Sequence, residues 1–130
     1  MEAFRKRLAA ASEDNYVLGA FAGSQLIGTV GFGRNPRRKQ RHKARIWGVF
    51  VAHSHRGHGI SRRLMSDVLS RAASLDGLEQ IILTVGDHQI AAKSLYASLG
   101  FTVFGHEPAA LKVDNAYVDE DYMVFLVPTA

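Results

Sequence analysis

The chain contains no cysteine, only three prolines and one tryptophan among 130 residues. The lack of cysteine excludes disulfides, thiolate metal sites and any covalent intermediate on a cysteine. No apolar run reaches membrane-spanning length, and the first residues lack the apolar stretch of a secretory signal, so we expect a soluble cytoplasmic protein with no membrane partner. Hydrophobic residues make up 47% of the chain, which predicts one compact domain over residues 1–130.

Positive charge is concentrated in one segment. Residues 34–45 hold seven basic residues and no acidic one, while the rest of the chain has nine basic and twelve acidic residues. Three interpretations stay open: a solvated loop, an electrostatic guide for an anionic ligand, and a nucleic-acid contact. The last is the least favoured, because no aromatic residues are interleaved for base stacking and no known binding module is present.

The hydrophobic pattern predicts a mixed α/β fold. The predicted elements are the end of an amphipathic helix over 1–11, strands over 16–22, 25–32, 44–52, 79–85, 101–104 and 122–127, and helices from Ile60 to about Asp76 and over 89–99. The first two strands form a hairpin, and the third has the nearly unbroken apolar character of a buried central strand. This order gives a mixed sheet with two helical crossovers.

The strand over 44–52 leads into a loop, Arg56-Gly57-His58-Gly59-Ile60-Ser61, that opens directly into a predicted helix. Glycines 57 and 59 allow backbone N–H groups to converge on an anion, and the start of the helix adds unpaired N–H donors. The loop lacks both the Gly-Lys-Ser/Thr ending of a P-loop and the three spaced glycines of a dinucleotide loop. It therefore predicts a phosphate-binding loop of another kind.

This loop resembles the cofactor-binding segment of the GNAT superfamily of N-acetyltransferases, in which Arg or Gln, two residues, Gly, one residue and then Gly or Ala follow one another; Ser61 stands at the last position. Residues 89–101 resemble the superfamily's second segment, in which an Asn, an Ala and a Leu-Tyr pair precede Gly-Phe. The resemblance implies a mixed, mostly antiparallel sheet flanked by helices, here lacking the usual first strand and helix. Residues 109–123 resemble the closing hairpin of a bacterial GNAT group, although a turn with solvated acids is an equal interpretation.

The resemblance also implies acetyl-CoA as co-substrate and no metal. The pantetheine arm of acetyl-CoA would pair with the backbone of Val49–Val51, on a strand that splays from its parallel neighbour. The pyrophosphate of acetyl-CoA would lie in the glycine loop. Gln89 stands where relatives have an Asn that hydrogen-bonds the arm. The implied cofactor-binding residues are Val49, Phe50, Val51, Arg56, Gly57, His58, Gly59, Ile60, Ser61 and Gln89.

Tyr96 matches the tyrosine that protonates the departing thiolate in many relatives, although a tyrosine on an apolar helix face is also a common core residue. The general base is not identified, because Arg45 stands at about the position of the usual glutamate and cannot accept a proton at neutral pH. The remaining candidates are His53, Glu107, Asp119, Glu120 and a bound water. A metal site on His53, His55 and His58 is disfavoured, since no carboxylate is evident to orient them.

Three functions are compatible with these observations. The first is an N-acetyltransferase that transfers acetyl from acetyl-CoA directly to the amine of a small molecule or peptide in a ternary complex. The second is a relative that binds acyl-CoA without turnover, as a sensor or as part of a larger assembly. The third, a nucleic-acid-binding module, is the least favoured. A sheet edge left open by the missing first strand would favour a homodimer.

Overall fold

The computed structural model describes residues 4–9 and 12–128, the first range as backbone only. Its elements in chain order are strands β1 (Phe4–Ala9), β2 (Asn15–Ala22), β3 (Gln25–Arg34) and β4 (Lys43–Val51), helix α1 (Ile60–Ala73), strand β5 (Gln80–Gly86), helix α2 (Ile90–Ser98), and strands β6 (Thr102–Val113) and β7 (Ala116–Leu126). The strands form one sheet in the order β1-β2-β3-β4-β5-β7-β6. β4 and β5 are parallel and the other neighbours antiparallel, which confirms the predicted mixed, mostly antiparallel sheet.

The prediction for residues 1–11 is wrong where the structure describes them. Residues 4–9 form β1, antiparallel to β2 from Phe4 opposite Ala22 to Ala9 opposite Val17, instead of the end of a helix; residues 1–3, 10 and 11 lie outside the described ranges. Pairing with β2 satisfies the backbone groups of both strands, and that gain outweighs a short helical spacing of apolar residues. A strand therefore precedes the hairpin, which corrects the expectation that the usual first strand is lacking.

Strand β4 is buried on one face only, which corrects the prediction of a fully buried central strand. Ala44 and Ile46 are buried, whereas Arg45 is exposed and Trp47 is half exposed. The indole of Trp47 lies over Gly31 of β3, so closely that a Cβ atom at position 31 would come within 2.5 Å of the ring.

Both helices pack on the same face of the sheet. Helix α1 buries one apolar stripe, formed by Ile60, Leu64, Met65, Val68 and Ala72. Ala44, Ile81 and Phe125 lie in register across β4, β5 and β7 and therefore share this face. Phe101 packs between Phe125 and Tyr96 of α2, with ring centroids 5.4 and 6.1 Å away. Within the described ranges, no helix is long and apolar enough to cross a membrane.

The hairpin of β6 and β7 is much longer than the predicted strands over 101–104 and 122–127. Its turn, Asp114-Asn115, has φ values of 49° and 66°, as the tight turns of β-hairpins require. Register shifts between Val103 and Gly105 and between Glu107 and Leu111 interrupt the alternation of side chains. Residues 109–123 thus form part of a closing hairpin, as the resemblance implied.

Candidate functional site

The parallel strands β4 and β5 part soon after they meet. Their pairing covers three residues on each strand, Lys43–Arg45 with Gln80–Ile82. Beyond it, β4 continues to Val51 against β3, and β5 continues to Gly86 against β7. The two strands therefore form a V that opens toward their carboxyl ends.

A bulge at Gly48 contributes to this opening. Gly31 pairs with Trp47 and Thr29 pairs with Phe50, so β4 carries one residue more than β3 between these pairs. Gly48 has a φ of 62°, and its carbonyl accepts a hydrogen bond of 2.8 Å from the Thr29 hydroxyl. A bulge bends its strand and increases the local twist, so it turns the end of β4 away from β5.

The V opens into a cleft of about 790 Å³ between the end of β4, the start of α1 and the start of α2. It brings together ten of the eleven residues that the sequence predicts for the site; His58 is exposed outside the lining. The lining residues outside the predicted set are His55, Arg62, His88, Ile90, Ala91, Ala92 and Leu95. The small size of Ala91 and Ala92, in the first turn of α2, was the available signal that a cleft lies beside them.

The glycine loop presents free backbone donors to the cleft. Gly57 and Gly59 have φ values of 83° and 74°, which other residues adopt only with strain. Gly59 is the N-cap of α1, and no side chain caps the helix and no acidic residue lies in its first turn. No hydrogen bond among the described residues uses the N–H groups of residues 57–62 as donors. The start of α1 can therefore hold an anion through several N–H groups at once.

Two arginines flank this loop. The Nε of Arg56 donates to the carbonyl of Val51 at 3.2 Å, which holds its guanidinium beside the end of β4. The Nη2 of Arg62 donates to the Ser98 hydroxyl at 2.8 Å and so links α1 with the end of α2. Both side chains add positive charge beside the free N–H groups, as an anion site requires.

Tyr96 is both a core residue and part of the cleft wall. It is 6% exposed, and burial raises the pKa of its phenol above the ordinary value. The phenol therefore keeps its proton at neutral pH. Gln89 precedes α2: its N–H donates to the Gly86 carbonyl at 3.0 Å, and its carbonyl accepts from the Lys93 N–H at 3.0 Å.

None of the named side chains proposed as general base lines the cleft. Glu107 accepts a hydrogen bond of 2.6 Å from the Tyr122 hydroxyl, and Asp119 accepts one of 2.7 Å from the Ala109 N–H. His53 lies in a short 3-10 helix beside the loop, and Glu120 is opposite Gly86 on β7. The histidines that do line the cleft are His55 and His88.

The basic segment lies at the opposite end of β4 from the glycine loop. A strand rises about 3.3 Å per residue, so the nine residues of β4 place roughly 26 Å between them. Arg34 is buried and donates to the carbonyls of Arg41 and Asp76 at 2.6 and 2.7 Å, so it is part of the framework. The exposed cations that precede β4 are Arg37, Arg38, Lys39 and Arg41, which are too distant to touch an anion at the loop.

A mixed sheet that opens between two parallel strands, beside a glycine-containing helix start, defines the GNAT acetyltransferase fold. The chain belongs to this family, because the profile of the Acetyltransferase (GNAT) family matches residues 1–101. It is 31% identical to N-acetyltransferase 8 of Rattus norvegicus over 111 residues, which cover 84% of this chain and 48% of that protein. The chain thus spans about half the length of this curated relative.

Solved structures show the same fold. An acetyltransferase of the GNAT family from Streptococcus pneumoniae superposes with a TM-score of 0.84 at 23% identity, over 91% of this chain and 70% of the other. The Salmonella typhimurium protein yncA, solved with its cofactor acetyl-CoA, superposes with a TM-score of 0.78 at 23% identity, over 89% of this chain and 66% of the other.

Proposed function

We propose that this protein is an N-acetyltransferase that moves an acetyl group from acetyl-CoA directly to an amine in a ternary complex. The observation that carries the proposal is the cleft in the V between β4 and β5, which gathers a free-amide loop, a splayed strand and a tyrosine. Family membership and the acetyl-CoA in the yncA structure support the choice of co-substrate. We further propose a cytoplasmic location.

In this proposal different cleft residues bind different parts of acetyl-CoA. The free N–H groups of residues 57–62 and the guanidinium of Arg56 hold the pyrophosphate. The backbone of Val49–Val51 pairs with the pantetheine arm in place of the missing β5 partner and polarises the thioester carbonyl. Gln89, on the opposite wall, is within the same cleft to bind the arm through its side-chain amide.

The transfer itself follows from these positions. The neutral amine nitrogen bonds to the carbonyl carbon, the carbon–sulfur bond breaks, and its electron pair leaves with the sulfur. The thiolate takes the phenol proton of Tyr96, which regains one from solvent, and the proton on the acetylated nitrogen passes to water. Water serves as base because none of the four side chains considered for that role, His53, Glu107, Asp119 and Glu120, lines the cleft. The acceptor is an amine of a small molecule or a peptide.

A second candidate function is binding of acyl-CoA without turnover. It is favoured by one observation: Arg45 occupies the usual glutamate position, and Glu107 and Asp119 are held in hydrogen bonds outside the cleft. The two candidates share the cofactor site and differ only in thiol release.

The first test is calorimetric titration with acetyl-CoA and CoA, followed by a thiol-release assay with a panel of amines. Saturable binding with amine-dependent thiol release supports the transferase. Binding without release supports the second candidate, and no binding refutes the cofactor assignment for both. Light scattering on the same sample tests the predicted homodimer, for which β1 and β6 are the sheet edges.

The charge of Arg56 is expected to matter for binding. Arg56→Glu places a negative charge beside the free N–H groups and should raise the acetyl-CoA Kd at least about tenfold, the size of one charge-assisted hydrogen bond. Arg37→Glu makes the same charge change at the far end of β4 and is the matched control. Equal affinities for the two variants would remove Arg56 from the site.

Tyr96→Phe is expected to separate turnover from binding. Loss of a proton donor should lower kcat about 100-fold with little change in the KM for acetyl-CoA. Tyr117→Phe, on the exposed hairpin, is the control and should leave both constants unchanged. If Tyr96→Phe turns over at the wild-type rate, Tyr96 is only a core residue.

A further inference from the structure

A cluster of titratable side chains lies outside the cleft, where the end of β5 meets the β6–β7 hairpin. Asp87 directly follows β5, His106 lies on β6 and Asp119 on β7. One potential ligand atom from each of the three lies within 4.8 Å of the others. The closest pair is the His106 Nε2 and an Asp119 carboxylate oxygen, 3.0 Å apart.

These atoms are of the kinds, and at about the separation, that zinc requires. Zn²⁺ binds imidazole nitrogen and carboxylate oxygen at about 2.0–2.2 Å in a tetrahedron, which places neighbouring ligand atoms roughly 3.3 Å apart. The observed 3.0 Å between His106 and Asp119 is already close to that value. The Asp87 ligand atom lies within 4.8 Å of the other two, so zinc binding requires this half-buried carboxylate to move closer to them.

The supporting hydrogen bonds orient these atoms as in a metal centre. The His106 Nδ1 is 2.8 Å from Asp121, and the other Asp121 oxygen is 2.6 Å from the Lys93 ammonium. A metal-binding histidine typically donates its second ring N–H to such a carboxylate, which fixes the tautomer. Asp119 has one oxygen held by the Ala109 N–H at 2.7 Å, which leaves its other oxygen directed at His106.

Access to the cluster is open. A cavity of about 420 Å³ is lined by Asp87 and Asp119, together with His88, Tyr117 and Val118. An ion can therefore enter from solvent, and a water in the cavity can complete a fourth position.

We propose that Asp87, His106 and Asp119 bind one zinc ion at the junction of β5 and the β6–β7 hairpin. Asp121 is a positioning residue, which acts through His106. The bound ion ties Asp87, two residues before Gln89 of the cleft wall, to the hairpin. The competing account is that a proton alone bridges His106 and Asp119 and the cluster is a purely structural hydrogen-bonded chain.

The test is calorimetric titration of the chelator-treated protein with ZnCl₂ at pH 7. We expect one equivalent to bind with micromolar affinity, and His106→Gln and Asp119→Asn each to raise the Kd at least about tenfold. Asp121→Asn is expected to weaken binding by about tenfold at unchanged stoichiometry, because the carboxylate that orients the His106 ring is lost. The triple variant His53→Gln, His55→Gln, His58→Gln is the control and should keep the full affinity.

Two results would overturn the proposal: no saturable zinc binding by the wild-type protein, or binding that survives the His106 and Asp119 changes and is lost in the triple variant. Because a variant can fail through misfolding, the ring resonances of His106 in the wild-type protein are followed as well by NMR. Zinc should shift them at one equivalent and lock the Nδ1–H tautomer; unchanged resonances support the proton alone. Acetyl-CoA titration is independent of this outcome, so failure here is distinguishable from failure of the proposed function.

Discussion

The buried hydroxyl of Tyr16 is expected to lower the stability of the folded state, so its removal should stabilise the protein. Tyr16 on β2 is 4% exposed, with its ring stacked on Phe32 at 5.3 Å between centroids. Its hydroxyl oxygen has no hydrogen-bond partner among the described residues. Burial is the main cause that raises the pKa of Tyr16 to about 12, partly offset by the positive charge of Arg71.

The size of the effect depends on pH. At pH 7, an unsatisfied buried hydroxyl costs about 1–3 kcal/mol, so Tyr16→Phe, which keeps the stacked ring, should raise the free energy of unfolding by about 1 kcal/mol. At higher pH the unfolded tyrosine ionises near 10, whereas the folded one resists until about 12. The folded state favours the neutral phenol. The free energy of unfolding therefore has its full value below pH 10 and falls as the pH rises toward 12. At pH 11 the loss is about 1 kcal/mol.

Urea unfolding of the wild-type protein and of Tyr16→Phe at pH 7 and pH 11 measures both quantities. The variant should be more stable by about 1 kcal/mol at pH 7 and by about 2 kcal/mol at pH 11. Tyr117→Phe is the control, because this exposed tyrosine should give no difference at pH 7. If Tyr16→Phe is destabilising at pH 7, or shows the same alkaline loss as the wild type, the hydroxyl is not an uncompensated buried group.

Two further predictions concern the framework of the sheet. Gly31→Ala places a Cβ 2.5 Å from the Trp47 ring, so it should displace the indole and cost about 1–3 kcal/mol; since Trp47 is the single tryptophan, its fluorescence should shift during the same urea titration, and an unchanged spectrum would contradict the contact. Arg34→Met removes two hydrogen bonds from a buried guanidinium and should lower the free energy of unfolding by about 3 kcal/mol, while exposed Arg38→Met should change it by less than about 0.5 kcal/mol. Similar losses for the two arginine variants would show that burial of Arg34 contributes nothing.

The parts of the fold that sequence predicts well are those fixed by local chemistry. The hairpin of β2 and β3, both helices and β5 follow from short-range periodicity, and Gly100, with a φ of 110°, ends α2 as predicted. Helix α1 ends at Ala73, three residues before the predicted end near Asp76. The glycine loop is also predictable from nearby residues, because glycines at 57 and 59 adopt positive φ values without strain. These elements place ten of the eleven predicted residues in one cleft.

What sequence misses depends on distant contacts. Strand β1 exists because β2 offers a partner edge, and six residues of helical spacing carry no sign of it. The bulges in β6 break the alternation that would have shown the full length of the hairpin. Asp87, His106 and Asp119 are brought together by the strand order β5-β7-β6, which no short window of sequence reveals.

The short pairing between β4 and β5 has a mechanical consequence. It divides the sheet into two antiparallel blocks, β1–β4 and β5-β7-β6, each held by ladders of six or more residue pairs but joined to each other along three. A seam this narrow transmits little cooperativity, so the two blocks are free to lose amide-exchange protection at separate rates. A ligand whose amide groups pair with both strands of the V would extend the pairing between the two blocks. The blocks should then lose amide-exchange protection together only while the ligand is bound.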